Sequence, residues 1–305
     1  MAPGESTVAS NGVGSYGLTI KAILVPLLTR PTVAKVIKYT VYSALCINFL
    51  LYVIDDYQAF RAALPPGAPF GEILTQFSTS IDMFAWLGLV FLFELETYQL
   101  PDEAWETFIP IILKVLRTIC YVMIAFSAWG YYVETMDYYD VTPVETTNGV
   151  CDLADQGIWL QYNVIDYEEI TSENCADMTD GSQLWQAAGE VSVMDSWMLG
   201  HGRWLGWIDV LNAVTWLIVV FLIEVEVWLQ SHDRFSSKSL QRVRVAKTGF
   251  YLILIGNAVI WAVNAYPLYA WDAFLWIFGF WAIELNLAEW EQERLAELRA
   301  ANATS

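Results

Sequence analysis

At 305 residues, with 56% hydrophobic residues, 16% charged residues and a net charge of −19, the chain is too apolar for a soluble domain. It is also too acidic for a nucleic-acid binder, whose phosphate contacts need a basic surface. Two histidines, His201 and His232, and four cysteines without zinc spacing leave no ligand set for haem, copper or zinc, so neither a metal nor a cofactor is expected.

Residues 1–16 are polar and Gly/Ser-rich, with no basic region ahead of an apolar run, and read as a disordered tail rather than a signal peptide. LTIKAILVPLLTR, residues 18–30, is apolar but short and broken by Pro26, the pattern of a segment lying along a membrane interface. Residues 1–32 therefore precede the membrane domain, which is expected over 33–288. Within it, six segments reach the roughly 20 residues that cross a ~30 Å hydrocarbon layer: about 34–54, 80–99, 111–133, 207–230, 246–265 and 269–288. The fold class expected is all-α, a polytopic membrane helical bundle. The last segment, 289–305, reads as a cytoplasmic helical tail.

Charge orients the spans. Thirteen of the 15 Lys and Arg residues lie in the N-terminal segment, the 100–117 and 231–247 connections and the C-terminal tail; Arg61 and Arg203 lie opposite. The positive-inside rule then puts both termini in the cytoplasm and loop 134–205 in the exterior or periplasm, with the chain in the plasma or inner cell membrane. That loop holds 14 Asp and Glu residues against Arg203 alone. Its two cysteines, Cys151 and Cys175, face an oxidising compartment and are expected to form a disulfide, whereas Cys46 and Cys120 lie in apolar helices as free thiols. A calcium loop at residues 177–182 fails, because Ala176, Met178 and Ala187 fall where oxygen ligands are required. The spacing of Trp, Val, Met and Leu in 182–208 reads as an amphipathic helix on the outer interface.

The spans repeat. The odd ones read KVIKYTVYSALCINFLLYVID from Lys35, KVLRTICYVMIAFSAWGYYVE from Lys114 and RVAKTGFYLILIGNAVIWAVN from Arg244. Tyr42, Tyr121 and Tyr251 recur in register, as do the polar stripe Asn48, Ser127 and Asn257, then Tyr52, Tyr131 and Trp261. The even spans start at Asp82, Asn212 and Asp272, with Trp86, Trp216 and Trp276 four residues on and Glu94, Glu224 and Glu284 at the twelfth step. Three tandem parallel helical hairpins, about 35–98, 114–228 and 244–288, follow, and parallel copies suggest a pseudo-threefold axis along the membrane normal.

At ~1.5 Å per residue each tyrosine of the first set is level with the glutamate of its own hairpin. The pairs could staple each hairpin, with Glu96 and Glu226 meeting the basic residues that enter the odd helices. Alternatively, the three carboxylates could converge as a cation or proton site, since intramembrane carboxylates mark ion pathways. The polar stripe could line a vestibule or pack helix to helix. The function expected is cation- or proton-linked transport through this carboxylate-lined bundle. The alternative is a scaffold or accessory subunit that contacts a membrane-protein partner or another copy of itself. No nucleophile–base pair or phosphate loop argues for an enzyme.

Overall fold

The computed structural model describes residues 31–96, 100, 107–147, 149–178, 182–231 and 237–280. The N-terminal tail and its interfacial segment, Glu284, and the C-terminal tail lie outside them. The chain divides into two compact units, Met1–Ala44 with Leu275–Ser305, and Leu45–Phe274. In the first, Trp276 is buried and its ring lies 6.2 Å from that of Phe280.

The protein is mostly helical: α1 is Pro31–Ala63, α2 Phe70–Gln76, α3 Ser78–Glu94, α4 Ile109–Asp137, α5 Ser196–Ser231 and α6 Ser237–Val263, and residues 267–280 form α7. Four of these, α1, α4, α5 and α6, are long and apolar enough to cross a membrane, or five if α2 and α3 together count as one span bent by 67°. The expected boundaries shift. Helix α1 continues to Ala63, beyond the expected end at 54, and α5 begins at Ser196, eleven residues before the expected start at 207. The span expected over 80–99 starts instead at Ser78, where the Ser78 hydroxyl donates to the Thr75 carbonyl at 2.6 Å and seals the bend at Phe77.

Helices α3, α4 and α5 approach through small residues, as membrane helices do where backbones must come close. A side chain at Gly130 would meet Ser78, and one at Gly88 would lie 3.0 Å from the Cys120 sulfur, so α3 and α4 pack antiparallel along both positions. Gly202 faces the Tyr138 ring and Gly206 faces Thr135 in the same way between α4 and α5.

The loop expected to be irregular and then helical is a small β structure, which corrects the all-α assignment. Five strands, β1 Val141–Val144, β2 Trp159–Gln161, β3 Tyr167–Glu169, β4 Leu184–Ala187 and β5 Ser192–Asp195, form one sheet in the order β1-β4-β5-β2-β3. β5 runs parallel to β2, pairing Trp159 with Ser192, and the other neighbours are antiparallel. The amphipathic helix expected at 182–208 is therefore β4, a turn and β5 before α5 starts. Gly189, at φ +83°, takes the left-handed conformation that turns the chain back. Val150, Leu160, Ile170, Leu184 and Val193 form the core of the sheet's far half, and Cys151 and Cys175 are joined by a disulfide beside it. Nearer the helices, Ala187 and Met194 pack with Met198 and Leu199 of α5 and with Tyr138. The sheet is tied down by Val191 N–H to the Ala63 carbonyl at 2.7 Å and Val164 N–H to the Tyr266 hydroxyl at 3.1 Å.

Candidate functional site

Three polar layers cross the helices. At the end far from the sheet, acids near the C-terminal ends of α3 and α5 meet bases in the early turns of α4 and α6. Arg117 of α4 bonds Glu96, just past α3, while Arg244 and Lys247 of α6 bond Glu226 of α5 at 2.8 and 2.7 Å. Lys247 and Glu226 are buried, so each charge is held by the other. The Tyr121 hydroxyl lies 3.4 Å from Glu224 Oε1 on an exposed face. Glu94, Tyr42 and Tyr251 are half-buried. Of the six residues of the sequence-derived site, Tyr121 and Glu224 thus form a direct pair between α4 and α5, and Glu284 lies outside the described residues.

The middle layer is buried. Asn48, Ser127 and Asn257, the polar stripe expected from the sequence, are all buried. The Ser127 hydroxyl satisfies itself on the Met123 carbonyl of its own helix, and Asn48 Nδ2 donates to Asp272 Oδ1 at 2.9 Å. Asn257 Nδ2 has no hydrogen-bond partner among the described residues. Trp86 and Trp216 are buried with their rings edge to face at 5.9 Å.

The layer next to the sheet holds the carboxylates. Asp82 accepts from the Trp86 indole N–H at 3.1 Å, and buried Asp56 accepts from the Ser80 amide at 2.8 Å. Asp82 lies within electrostatic range of Asp272, and Glu134 within range of Asp56, Asp137, Glu190 and Asp209. Tyrosines interleave with them: the Tyr52 and Tyr269 rings meet at 5.3 Å, and Tyr269 stacks on Trp261 at 4.9 Å.

No family model, curated protein or solved structure matches the chain.

The layer continues into the sheet. The Gln161 amide donates to the hydroxyls of Tyr138 and Tyr167 at 3.1 and 3.0 Å. Burial pushes the Glu190 carboxyl up to about 7; a hydrogen bond from the Ser192 hydroxyl pulls it back in part, and Asp137 adds to the rise. Burial likewise raises the Tyr167 phenol well above its usual value. Among the described residues no three His, Cys, Asp or Glu side chains are grouped to hold a metal ion. Among these carboxylates Asp82, Asp56 and Glu190 each accept a hydrogen bond from a neutral donor, Trp86, the Ser80 amide and Ser192. Asp56, Asp209 and Glu190 were not singled out from sequence. Asp55–Asp56 at the end of an apolar span, and Asp209 one helical turn before the repeated Asn212, were the signals available.

Proposed function

We propose that the protein is a multi-pass membrane protein of six spans, built as three tandem hairpins with both termini cytoplasmic and the sheet exterior, and that it moves protons or cations. The contacts between successive hairpins support the repeat. The second hairpin's Arg117 bonds the first's Glu96, the third's Arg244 and Lys247 bond the second's Glu226, and the first's Asn48 bonds the third's Asp272.

The observation that carries the transport reading is Asp82. It lies in an apolar helix, accepts a hydrogen bond from a neutral indole, has a second carboxylate in range, and has no basic partner among the described residues. A carboxylate in a low-dielectric layer costs several kcal/mol unless it is neutralised, and a proton or a bound cation is the remaining way to do so. In this reading Trp86 and Trp216 separate the carboxylate layer from the ion pairs below, and Tyr121 with Glu224 acts as a staple.

The test is flux into liposomes carrying a pH-sensitive dye, driven by a potassium gradient with valinomycin. Wild-type protein should acidify or alkalinise the lumen faster than protein-free liposomes, and Asp82→Asn should remove the difference while leaving the melting temperature within a few degrees. A wild-type rate equal to that of empty liposomes, with protons, sodium and potassium each tried, would retire transport and leave the scaffold reading.

A further inference from the structure

Residues 134–205 contain 14 Asp and Glu residues and, of Lys and Arg, only Arg203. Such a base would be expected to sit in a salt bridge, yet none is made to it by any described carboxylate. Its Nε donates to the Tyr138 carbonyl at 2.8 Å and its guanidinium lies 4.8 Å above the Tyr139 ring. Those two contacts fix the plane of the guanidinium and leave the two terminal nitrogens, the fork that recognises paired oxygens, without an acceptor among the described residues. The side chain is half-exposed.

Its surroundings are an aromatic shelf. The Trp207 indole N–H donates to the Tyr139 hydroxyl at 3.2 Å, so the hydroxyl's own proton points elsewhere and is a second donor beside the guanidinium. Tyr132 meets Trp207 edge to face at 6.3 Å, and Trp129 lies 5.4 Å from Tyr132. All four rings are exposed. The close approaches at Gly202 and Gly206 hold α4 and α5 together directly beneath, so the shelf is preformed.

Its depth follows from the helix. Past the exposed Trp197 and Trp204 in its first turns, the exposed side of α5 runs from Trp207 through Leu211, Val214 and Phe221 to Trp228. At ~1.5 Å per residue Trp207 and Trp228 are about 32 Å apart, the thickness of a hydrocarbon core with aromatic residues at either edge. Arg203 lies about 6 Å further out, within the headgroup layer of roughly 5–8 Å on each side.

We propose that Arg203, with Tyr139, binds the phosphate of a phospholipid in the leaflet beside the sheet. A soluble anion is disfavoured by the surrounding acids, whereas a lipid brings its phosphate to this level and lays its glycerol and chains on Trp129, Tyr132 and Trp207. The site requires α4 and α5 to cross the bilayer and is independent of transport.

Native mass spectrometry of the full chain in non-ionic detergent, titrated with dioleoyl phosphatidylglycerol, tests it. Wild type should retain the lipid about tenfold more tightly than Arg203→Gln. Tyr139→Leu, which removes an exposed ring and the hydroxyl that accepts from Trp207 while leaving the close approaches at Gly202 and Gly206 in place, should weaken it in the same direction. Dioleoylglycerol, which lacks the phosphate, should bind all three proteins equally, and inorganic phosphate should not displace the phospholipid. Equal retention of phosphatidylglycerol by wild type and Tyr139→Leu would overturn the site even if Arg203→Gln failed to fold. Displacement by millimolar inorganic phosphate would overturn the lipid as its ligand.

Discussion

Gly130→Ala measures how tightly α3 and α4 are packed. The added methyl would fall on the Ser78 hydroxyl and 2.9 Å from its Cβ, a separation real Cβ atoms do not tolerate. Ser78 has nowhere to go: it is fully buried, and its hydroxyl is committed to the Thr75 carbonyl that closes the α2–α3 bend. Either the helices part or the bond breaks. Overpacking costs about 1–3 kcal/mol and the lost hydrogen bond about 1 more, so Gly130→Ala should destabilise by roughly 2–4 kcal/mol. Thermal unfolding in dodecyl maltoside, followed by tryptophan emission, should show the midpoint falling by about 5–10 °C. Ser78→Gly in the same chain removes both clashing atoms and should recover most of the loss relative to Ser78→Gly alone. A midpoint within about 1 °C of wild type, or an additive double mutant, would refute the close approach.

Cys151 and Cys175 should resist alkylation until reduced, and reduction should expose the sheet to proteolysis, since closing a loop of sequence separation 24 stabilises by about 3 kcal/mol on the chain-entropy reckoning; four free thiols without reductant would contradict this. Glu190 sets a pH dependence. Its folded carboxyl titrates near 7 against a usual 4.5, so the native state holds the extra proton between those values and loses stability as pH rises, by up to about 3 kcal/mol. Denaturant midpoints at pH 5 and pH 8 should differ in wild type and converge in Glu190→Gln; equal slopes in the two would refute the assignment. Glu226→Ala strands buried Lys247 and should cost about 3–5 kcal/mol. Glu226→Leu combined with Lys247→Met should restore most of it, and if the double variant is as unstable as the single, the pair is not what holds the site.

Helix existence was readable because a bilayer-spanning segment needs length and apolarity, both local properties of α1, α4, α5 and α6. The pairing of Glu96 and Glu226 with the incoming bases was readable from spacing, since the acid near the end of one helix and the bases near the start of the next fall at nearly the same level. The sheet was not. Its strands are three or four residues long, and its central pair, β2 with β5, joins Trp159 to Ser192 in parallel, so no short window carries the signal. The spaced apolar residues of 182–208 fit a helical period as well as they fit two strands and a turn, and it is the non-local pairing that decides. The bend at Phe77 and the burial of Asp56 arise the same way, from Ser78 and Ser80 meeting residues brought to them by the fold.

By sequence Glu94, Glu224 and Glu284 fall at one depth, and helical phase adds the face of its helix on which each lies. A residue turns about 100° per step, so the twelfth step from the polar start of an even helix points about 120° away from it, while the fourth and fourteenth return to within about 40°. Asp82, Trp86 and Glu96 therefore share one face of the first even helix, as Asn212, Trp216 and Glu226 share one face of the second. Burial follows that phase: Trp216 and Glu226 are buried and Glu224, between them in sequence, is exposed. The face carrying the tryptophans is the one turned toward neighbouring helices, and on it the acid near one end is paired with Arg or Lys, while Asp82 at the other end meets a neutral indole. Equal depth marks residues that can share a layer, and angle sets which of them face a neighbouring helix: on α5 it turns Trp216 and Glu226 inward and Glu224 outward.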